Sequence, residues 1–387
     1  MGTETLRSET PQSADDAAQL LRDCAGEGIG VRIVGGATKP WGRHGADYGV
    51  RLNTRGLDAI VEHNRGDFTA VVEAGVSLRE LDEVLADAGQ RLALDPPLGA
   101  GDRATVGGVV AAGDSGPLRH HYGAARDLVL GVTVALSDGS LARAGGRVIK
   151  NVAGYDLGKL FSGSFGTLGL ITQLAVRLHP RQPAHETAVG ATDDPARLQA
   201  AAIALCGSSL AADALDVRWR AGEGAVLARF AGVAAGEQAA AARPLLGEAG
   251  VEARTVDDDD GLWEAQRGAQ RSDGGVVLRV SGRPTQLADA CVAAEAAGAT
   301  LAGRAALGLW WISVPATTHG ELVEVVARLR ELLAPSACVV LDAPGPVRAY
   351  VDPWAVPDDA ALKLMRRVKA RFDPTATCNP GIFVGGI

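Results

Sequence analysis

Apolar and polar residues alternate along this chain in two different ways. Over 15–25, Ala17, Leu20, Leu21 and Cys24 recur at helical spacing behind a polar start, which predicts a helix. Val31-Arg32-Ile33-Val34 reads as a short strand running into paired glycines. A strand is expected over 70–74, followed by a helix over 78–88 with Ser77 as its N-cap. Strands are also expected over 127–136, closed by a turn at Ser137-Asp138-Gly139, and over 168–178. This first region reads as α/β. The run Pro180-Arg181-Gln182-Pro183 favours extended backbone and marks a linker. Beyond it, strands are expected over 214–220, 225–231, 276–280, 309–314 and 338–342. Helices are expected over 195–206, 236–248, 284–296 and 318–333. Hairpins with returning helices point to an antiparallel sheet with helices on one face, an α+β arrangement. A last helix is expected over 362–371, followed by the loop Asp373-Pro374 … Asn379-Pro380-Gly381. The chain thus divides into 1–182, 183–350 and 351–387.

Composition sharpens one point. Glycine makes up 50 of 387 residues, and 16 of them lie within 99–169. Glycine serves positive φ and close approach of the backbone to a neighbour or ligand. Net charge is −8 and no Lys/Arg cluster of the kind a nucleic-acid partner needs stands out. Asp257-Asp258-Asp259-Asp260 reads as a solvated loop. No apolar run reaches the length of a membrane span, and residues 1–16 lack the apolar core of a signal peptide. A cytoplasmic chain is expected, peripheral at the inner face of a membrane only through partners. Cys24, Cys206, Cys291, Cys338 and Cys378 are widely spaced without a CxxC pair, so no iron–sulfur cluster or structural zinc is expected.

Three segments carry candidate chemistry. Val34-Gly35-Gly36-Ala37-Thr38-Lys39 ends a strand in unhindered N–H groups, a hydroxyl and a cation, the makings of an anion-binding nest or of an ordinary glycine turn. It is neither a Walker A loop nor a GxGxxG fingerprint. Thr105-Val106-Gly107-Gly108, running through Ala112 and Gly113 to Ser115, presents a surface almost free of side chains. A flat ligand would lie on it, and a bulky residue at Gly107, Gly108 or Gly113 would block that ligand; Gly107→Leu is the test this suggests. The alternative is close helix packing through small residues. The third segment joins Lys150-Asn151-Val152-Ala153-Gly154-Tyr155-Asp156-Leu157 to Gly163-Ser164-Phe165-Gly166-Thr167-Leu168-Gly169-Leu170-Ile171-Thr172.

In this order the three segments resemble the PCMH-type FAD-binding domain of the vanillyl-alcohol-oxidase flavoproteins. Within that superfamily the chain is most similar to the FAD-binding subunits of bacterial glycolate oxidases. The closer likeness rests on Lys150 to Leu157, Gly163 to Thr172, and Asp373-Pro374 … Cys378-Asn379-Pro380-Gly381. The resemblance implies a two-subdomain FAD-binding domain, an α+β cap with an antiparallel sheet, and a C-terminal segment that packs back on the FAD domain. It implies that Val34, Gly35, Gly36, Ala37 and Thr38 hold the FAD pyrophosphate, with Lys39 as countercharge. Thr105, Gly107, Gly108, Ala112, Gly113 and Ser115 would line the pyrophosphate and ring, and Gly166, Gly169 and Ile171 the ribityl or adenine part. It implies oxidation of glycolate to glyoxylate, with a second flavoprotein subunit and an iron–sulfur subunit as partners. A non-catalytic relay or scaffold subunit, and a stand-alone oxidase of another alcohol or sugar, remain alternatives.

Two departures bear on this. Ala37-Thr38-Lys39-Pro40-Trp41 holds no His where covalent family members carry one, and His44 comes later, so FAD is expected to be non-covalent. His185 and His319 are the only histidines beyond 182, so a paired-histidine metal site is not expected. No catalytic base is named. His120-His121 and Tyr155 are candidates near the ring or plain packing residues, and Trp310-Trp311 reads as core or interface.

Overall fold

The computed structural model describes residues 6–44, 47–147, 156–354 and 359–387. The chain forms two compact units. One contains Met1–Ser115, Gly123–Arg181 and Val356–Ile387; the other contains Gly116–Tyr122 and Gln182–Ala355. The short segment Gly116–Tyr122 therefore belongs with the second unit although it lies deep in the first region of the sequence.

The first unit begins with strand Arg7–Glu9, helix Ala14–Glu27 and strand Val31–Val34, whose two strands pair in parallel with Val50–Asn53 between them. The helix is capped at both ends. Ser13 accepts the Asp16 N–H at 3.1 Å, and Gly28 closes it in the left-handed conformation at φ 69°. Its face Ala17, Ala18, Leu21 and Cys24 is buried against Val31, Leu52 and Cys378. A five-stranded antiparallel sheet follows, ordered Ile60–Asn64, Thr69–Glu73, Leu170–Arg177, Val129–Ala135 and Leu141–Gly145. Helix Leu78–Ala86 is capped by Ser77, which accepts the Glu80 N–H at 3.0 Å. The C-terminal helix Asp359–Phe372 and the loop after it also lie in this unit.

The second unit is built on one eight-stranded sheet. Its order is Glu252–Val256, His185–Thr192, Glu223–Ala231, Ala214–Arg220, Thr300–Arg304, Leu309–Val314, Val276–Ser281 and Ala337–Asp342, with every pairing antiparallel. Helices Pro195–Cys206, Ala235–Glu248, Leu287–Ala296 and His319–Leu332 contribute Leu198, Ala239, Cys291 and Leu322 to a core on one face, against Val217, Phe230, Leu278 and Trp310. Trp310 and Trp311 are both buried.

The aspartate run is not a solvated loop throughout. Asp259 is buried, accepts the Thr187 hydroxyl at 2.6 Å and pairs with Arg229 at 2.8 Å; Asp260 opens the helix Asp260–Gly268. The physical reason is Trp263, whose Nε1 donates to the same Thr187 hydroxyl at 2.8 Å and whose ring is buried on the sheet's other face. Burying that ring draws the preceding turn inward. The expected strand over 127–136 begins only at Val129, because Asp127 accepts the Ala124 N–H at 2.9 Å in a short helical turn, Ala125–Leu128.

Candidate functional site

Strand Val31–Val34 opens into Gly35 and Gly36, and both glycines are required by crowding. A Cβ on Gly36 would collide with the Arg103 carbonyl, and one on Gly35 with the Thr105 hydroxyl. Ala37 then takes φ 53°, a left-handed turn that swings the chain away from the strand. Among the described residues nothing accepts the N–H groups of Gly36 and Ala37.

The second segment is helix Val106–Ala112. Thr105 caps it, its hydroxyl accepting the Gly108 N–H at 3.2 Å. Gly107 packs on the end of strand Thr69–Glu73: its N–H reaches the Ala74 carbonyl at 2.9 Å, and a Cβ there would stand 2.5 Å from the Ala74 Cβ. The helix's carbonyls meet the third segment. Gly163 N–H donates to Val110 at 2.9 Å and Phe165 N–H to Ala111 at 2.8 Å.

The C-terminal loop ties the first and third segments together. Val31 N–H donates to the Thr377 carbonyl and Asn379 N–H to the Val31 carbonyl, so Thr377–Asn379 runs beside the first strand. The Asn379 side chain accepts the Ile33 N–H at 2.8 Å and donates to the Phe165 carbonyl at 2.7 Å. Lys369, buried, holds this loop by donating to Asp373 and to the Thr167 carbonyl at 2.6 Å each, and to the Cys378 carbonyl at 3.0 Å. Burial pushes the Cys378 thiol well above the usual thiol range, so it stays protonated as a core group.

These segments line a cleft that opens to solvent. Of the residues proposed from sequence, Val34, Gly35, Gly36, Ala37, Thr38 and Lys39 line it, as do Thr105, Gly107, Gly108 and Ala112, and Gly166, Gly169 and Ile171. Gly113 and Ser115 do not. Gly113 is the left-handed C-cap of the helix, its Cα facing Gly163, and Ser115 is buried with its N–H on the Asp114 carboxylate at 2.9 Å. Lys150 to Tyr155 lie outside the described residues.

Several lining residues were not expected, among them Arg32, Trp41, Phe165 and Asn379. Asn379 stood in a recognised motif, but its pairing with Ile33, 346 positions away, leaves no local signal. His120 and His121 fall in the second unit and do not line this cleft. His120 sits beside Leu205, Cys206 and Phe230, where burial lowers its pKa. His44 bonds the Pro40 carbonyl at 3.1 Å and is likewise outside the lining.

The charge of the cleft is one-sided. Its charged lining residues are Arg32 and Lys39, and no Asp or Glu lines it among the described residues. The Lys39 ammonium is nearly buried and stands 3.4 Å from the Asp114 carboxylate. With Lys39 paired to Asp114, Arg32 is the lining cation that pairs with no carboxylate among the described residues. A glycine-lined cleft with free backbone donors suits a diphosphate, and its apolar stretch, Val109, Phe165, Leu170 and Ile171, suits a flat ring system. The residues present therefore fit FAD. No three His, Cys, Asp or Glu side chains gather to hold a metal among the described residues, and no helix there is long and apolar enough to cross a membrane.

Comparison with known proteins bears on the same region. Residues 9–145 match the family model described as FAD binding domain. An uncharacterized FAD-linked oxidoreductase of Mycobacterium tuberculosis is 33% identical over 213 residues, covering 53% of this chain and 44% of that protein. Glycolate oxidase subunit GlcE of Escherichia coli is 36% identical over 186 residues, 46% of this chain and 53% of the subunit. The mitochondrial cytochrome-linked D-lactate dehydrogenase of Arabidopsis thaliana is 33% identical over 208 residues, 54% of this chain and 33% of the enzyme. The chain thus spans about half the length, or less, of these curated relatives. Among solved structures, an alkyldihydroxyacetonephosphate synthase superposes with a TM-score of 0.72 over 96% of this chain and 76% of its own, at 16% identity, which establishes a shared fold. The antiparallel α+β architecture is similar to that of the PCMH-type FAD-binding flavoproteins, residues 9–145 match an FAD binding domain, and FAD is the cofactor of this chain.

Proposed function

We propose that this chain is the FAD-binding subunit of a glycolate oxidase or dehydrogenase complex. It takes part in oxidising glycolate, a 2-hydroxy acid, to glyoxylate, and it works beside a second flavoprotein subunit and an iron–sulfur subunit. The observation that carries the reading is the cleft itself, lined by three glycine-rich segments and free of carboxylates among the described residues, taken with the likeness to GlcE. In this reading the loop from Val34 to Lys39 and the stretch from Thr105 to Ala112 hold a non-covalent FAD through backbone N–H groups. Gly166, Gly169 and Ile171 flank it, and Asn379 keeps the first and third segments in register. Bound FAD supplies a two-electron acceptor for the alcohol carbon. The chain's own contribution is to bind and orient the cofactor and to place Lys39 where an anionic group needs a cation.

A second reading has its own support. No His, Asp, Glu or Tyr lines the cleft among the described residues, so no general base stands beside the proposed cofactor. A subunit that relays electrons, or scaffolds its partner, without taking the substrate proton is consistent with that lining. Anaerobic addition of glycolate to the purified, flavin-loaded chain separates the two. Loss of the oxidised-flavin absorbance in the isolated chain supports the catalytic subunit. A flavin that bleaches only after the partner subunits are added supports the relay, and one that never bleaches contradicts both electron-carrying roles and leaves the scaffold.

A further inference from the structure

The C-terminal helix Asp359–Phe372 carries a feature the cleft does not use. Its inward side is formed by Leu362, packed at Gly385, by buried Lys369, and by Phe372, whose ring stands edge-on to Phe161 at 5.5 Å. Lys363, Arg367 and Arg371 follow one another at four-residue spacing, so they stack in a single outward strip. All three are exposed, and Leu364 beside them is 59% exposed. Neighbouring Arg366 donates to the Gly385 carbonyl at 3.3 Å. Among the described residues, Lys363, Arg367 and Arg371 make neither an ion pair nor a hydrogen bond.

This arrangement works against the helix. Like charges one turn apart repel. Arg371 in the last turn gains from the helix dipole, but Lys363 and Arg367 are too far from that end. It also opposes the charge of the whole chain, which is −8. In sequence the cations are interrupted by Leu364, Met365 and Val368 and do not form a run; the helix brings them together. Asp359, one turn before Lys363, offsets part of the repulsion there, but no acidic residue stands one turn from Arg367 or Arg371 on this helix.

We propose that the strip Lys363–Arg367–Arg371, with Leu364 at its edge, is the docking face for a carboxylate-rich patch on a partner subunit. This rests on the multi-subunit reading above. An acidic protein surface suits it better than an anionic membrane. The helix's apolar residues Leu362 and Phe372 are turned inward, leaving Leu364 and part of Met365 as outward apolar surface, too little for a helix that buries an apolar face in lipid. Arginine also pairs with carboxylates in a bidentate fork. The position is apt, because this helix continues through Lys369 and Asp373 into the loop whose Asn379 holds the cofactor cleft.

The test uses the full chain and a short fluorescein-labelled poly-L-glutamate peptide, with binding read by anisotropy at low salt. The chain should bind the peptide, and added salt should weaken binding. The double variant Arg367→Glu/Arg371→Glu should bind at least about tenfold more weakly, whereas Arg243→Glu, an exposed arginine of the other unit, should bind as the parent does. The same double variant should keep its flavin content and stay folded by circular dichroism, its thermal midpoint lowered only slightly by the loss of the Arg371 dipole interaction. Peptide binding unchanged by the double reversal overturns the proposal, as does no binding at all. Binding to phosphatidylserine vesicles that the double reversal abolishes, with peptide binding unaffected, overturns it in favour of a membrane surface. A chain that binds the peptide but retains no flavin leaves the docking face standing and removes the reading of the cleft.

Discussion

The side chain of Asn379 accepts the N–H of Ile33 at 2.8 Å, so the end of the chain is stitched to the strand that delivers the first glycine loop. The same amide donates to Phe165 at 2.7 Å, in the third glycine segment. One residue therefore sets the spacing of two walls of the cleft. Its φ of 42° and its place between Cys378 and Pro380 fix the amide's direction.

Asn379→Ala leaves both backbone partners without their bond. A cost of about 1–3 kcal/mol is expected for such groups. The urea midpoint should fall, and the dissociation constant for FAD should rise in the same variant. Unchanged FAD affinity in a destabilised variant would show that the amide serves the fold alone.

Gly107 and Gly108 separate packing from binding. Both line the cleft, but a Cβ on Gly107 stands 2.5 Å from the Ala74 Cβ, whereas a Cβ on Gly108 meets only the Thr105 hydroxyl, at 2.9 Å. Gly107→Ala should therefore cost roughly 1–3 kcal/mol by overpacking. Gly107→Leu would lose flavin through misfolding, not through a blocked site, which makes it the poorer probe. Gly108→Leu should remain folded by circular dichroism and lose FAD affinity at least about tenfold, a loss of ~1.4 kcal/mol or more. Parent-like FAD binding by a folded Gly108→Leu variant would place the cofactor elsewhere.

Lys39 and Asp114 form a nearly buried pair, with side chains 6% and 3% exposed. Lys39→Met strands a carboxylate in the interior, and breaking such pairs costs about 3–5 kcal/mol. The double variant Lys39→Met/Asp114→Asn should recover much of that loss in a thermal-denaturation cycle. Additive losses would mean that the two groups do not interact.

Asp216 is fully buried in the second unit beside Arg304, whose guanidinium lies 3.1 Å away, and Gln266, whose amide donates to it at 3.0 Å. Desolvation outweighs the arginine and pushes the carboxyl up to about 6. A raised acid pKa means that the folded state holds the proton longer than the unfolded one. The group's contribution to stability is therefore greatest below about pH 4 and declines as pH rises to about 6. Relative to Asp216→Asn, the parent should be less stable at pH 7.5 than at pH 4.5 by an amount on the order of 2 kcal/mol. A stability difference between the two that does not change with pH would contradict this.

The sequence was most legible where a local rule acts alone. Ser77 caps its helix as a serine does, and Leu309–Val314 is a strand because five of its six residues are large or branched and suit a sheet. Short, half-polar strands were missed. Arg7–Glu9 and Glu252–Val256 at sheet edges, and Val50–Asn53 in the middle of its small sheet, are strands only because their neighbours make them so. The glycine segments were visible because crowding forbids a Cβ at Gly35 and Gly36. Asn379, Lys369 and the Lys39–Asp114 pair were not, since each depends on a contact made in three dimensions. The same holds for Asp259, whose burial is imposed by Trp263.

The central claim is that the cleft between Gly35–Gly36, helix Val106–Ala112 and Phe165–Ile171 holds FAD. The most direct measurement is the visible spectrum of the purified full chain after incubation with FAD and removal of the excess. The account predicts one flavin retained per chain, released into the supernatant on acid precipitation because no covalent bond holds it. A folded chain that retains no flavin would contradict it.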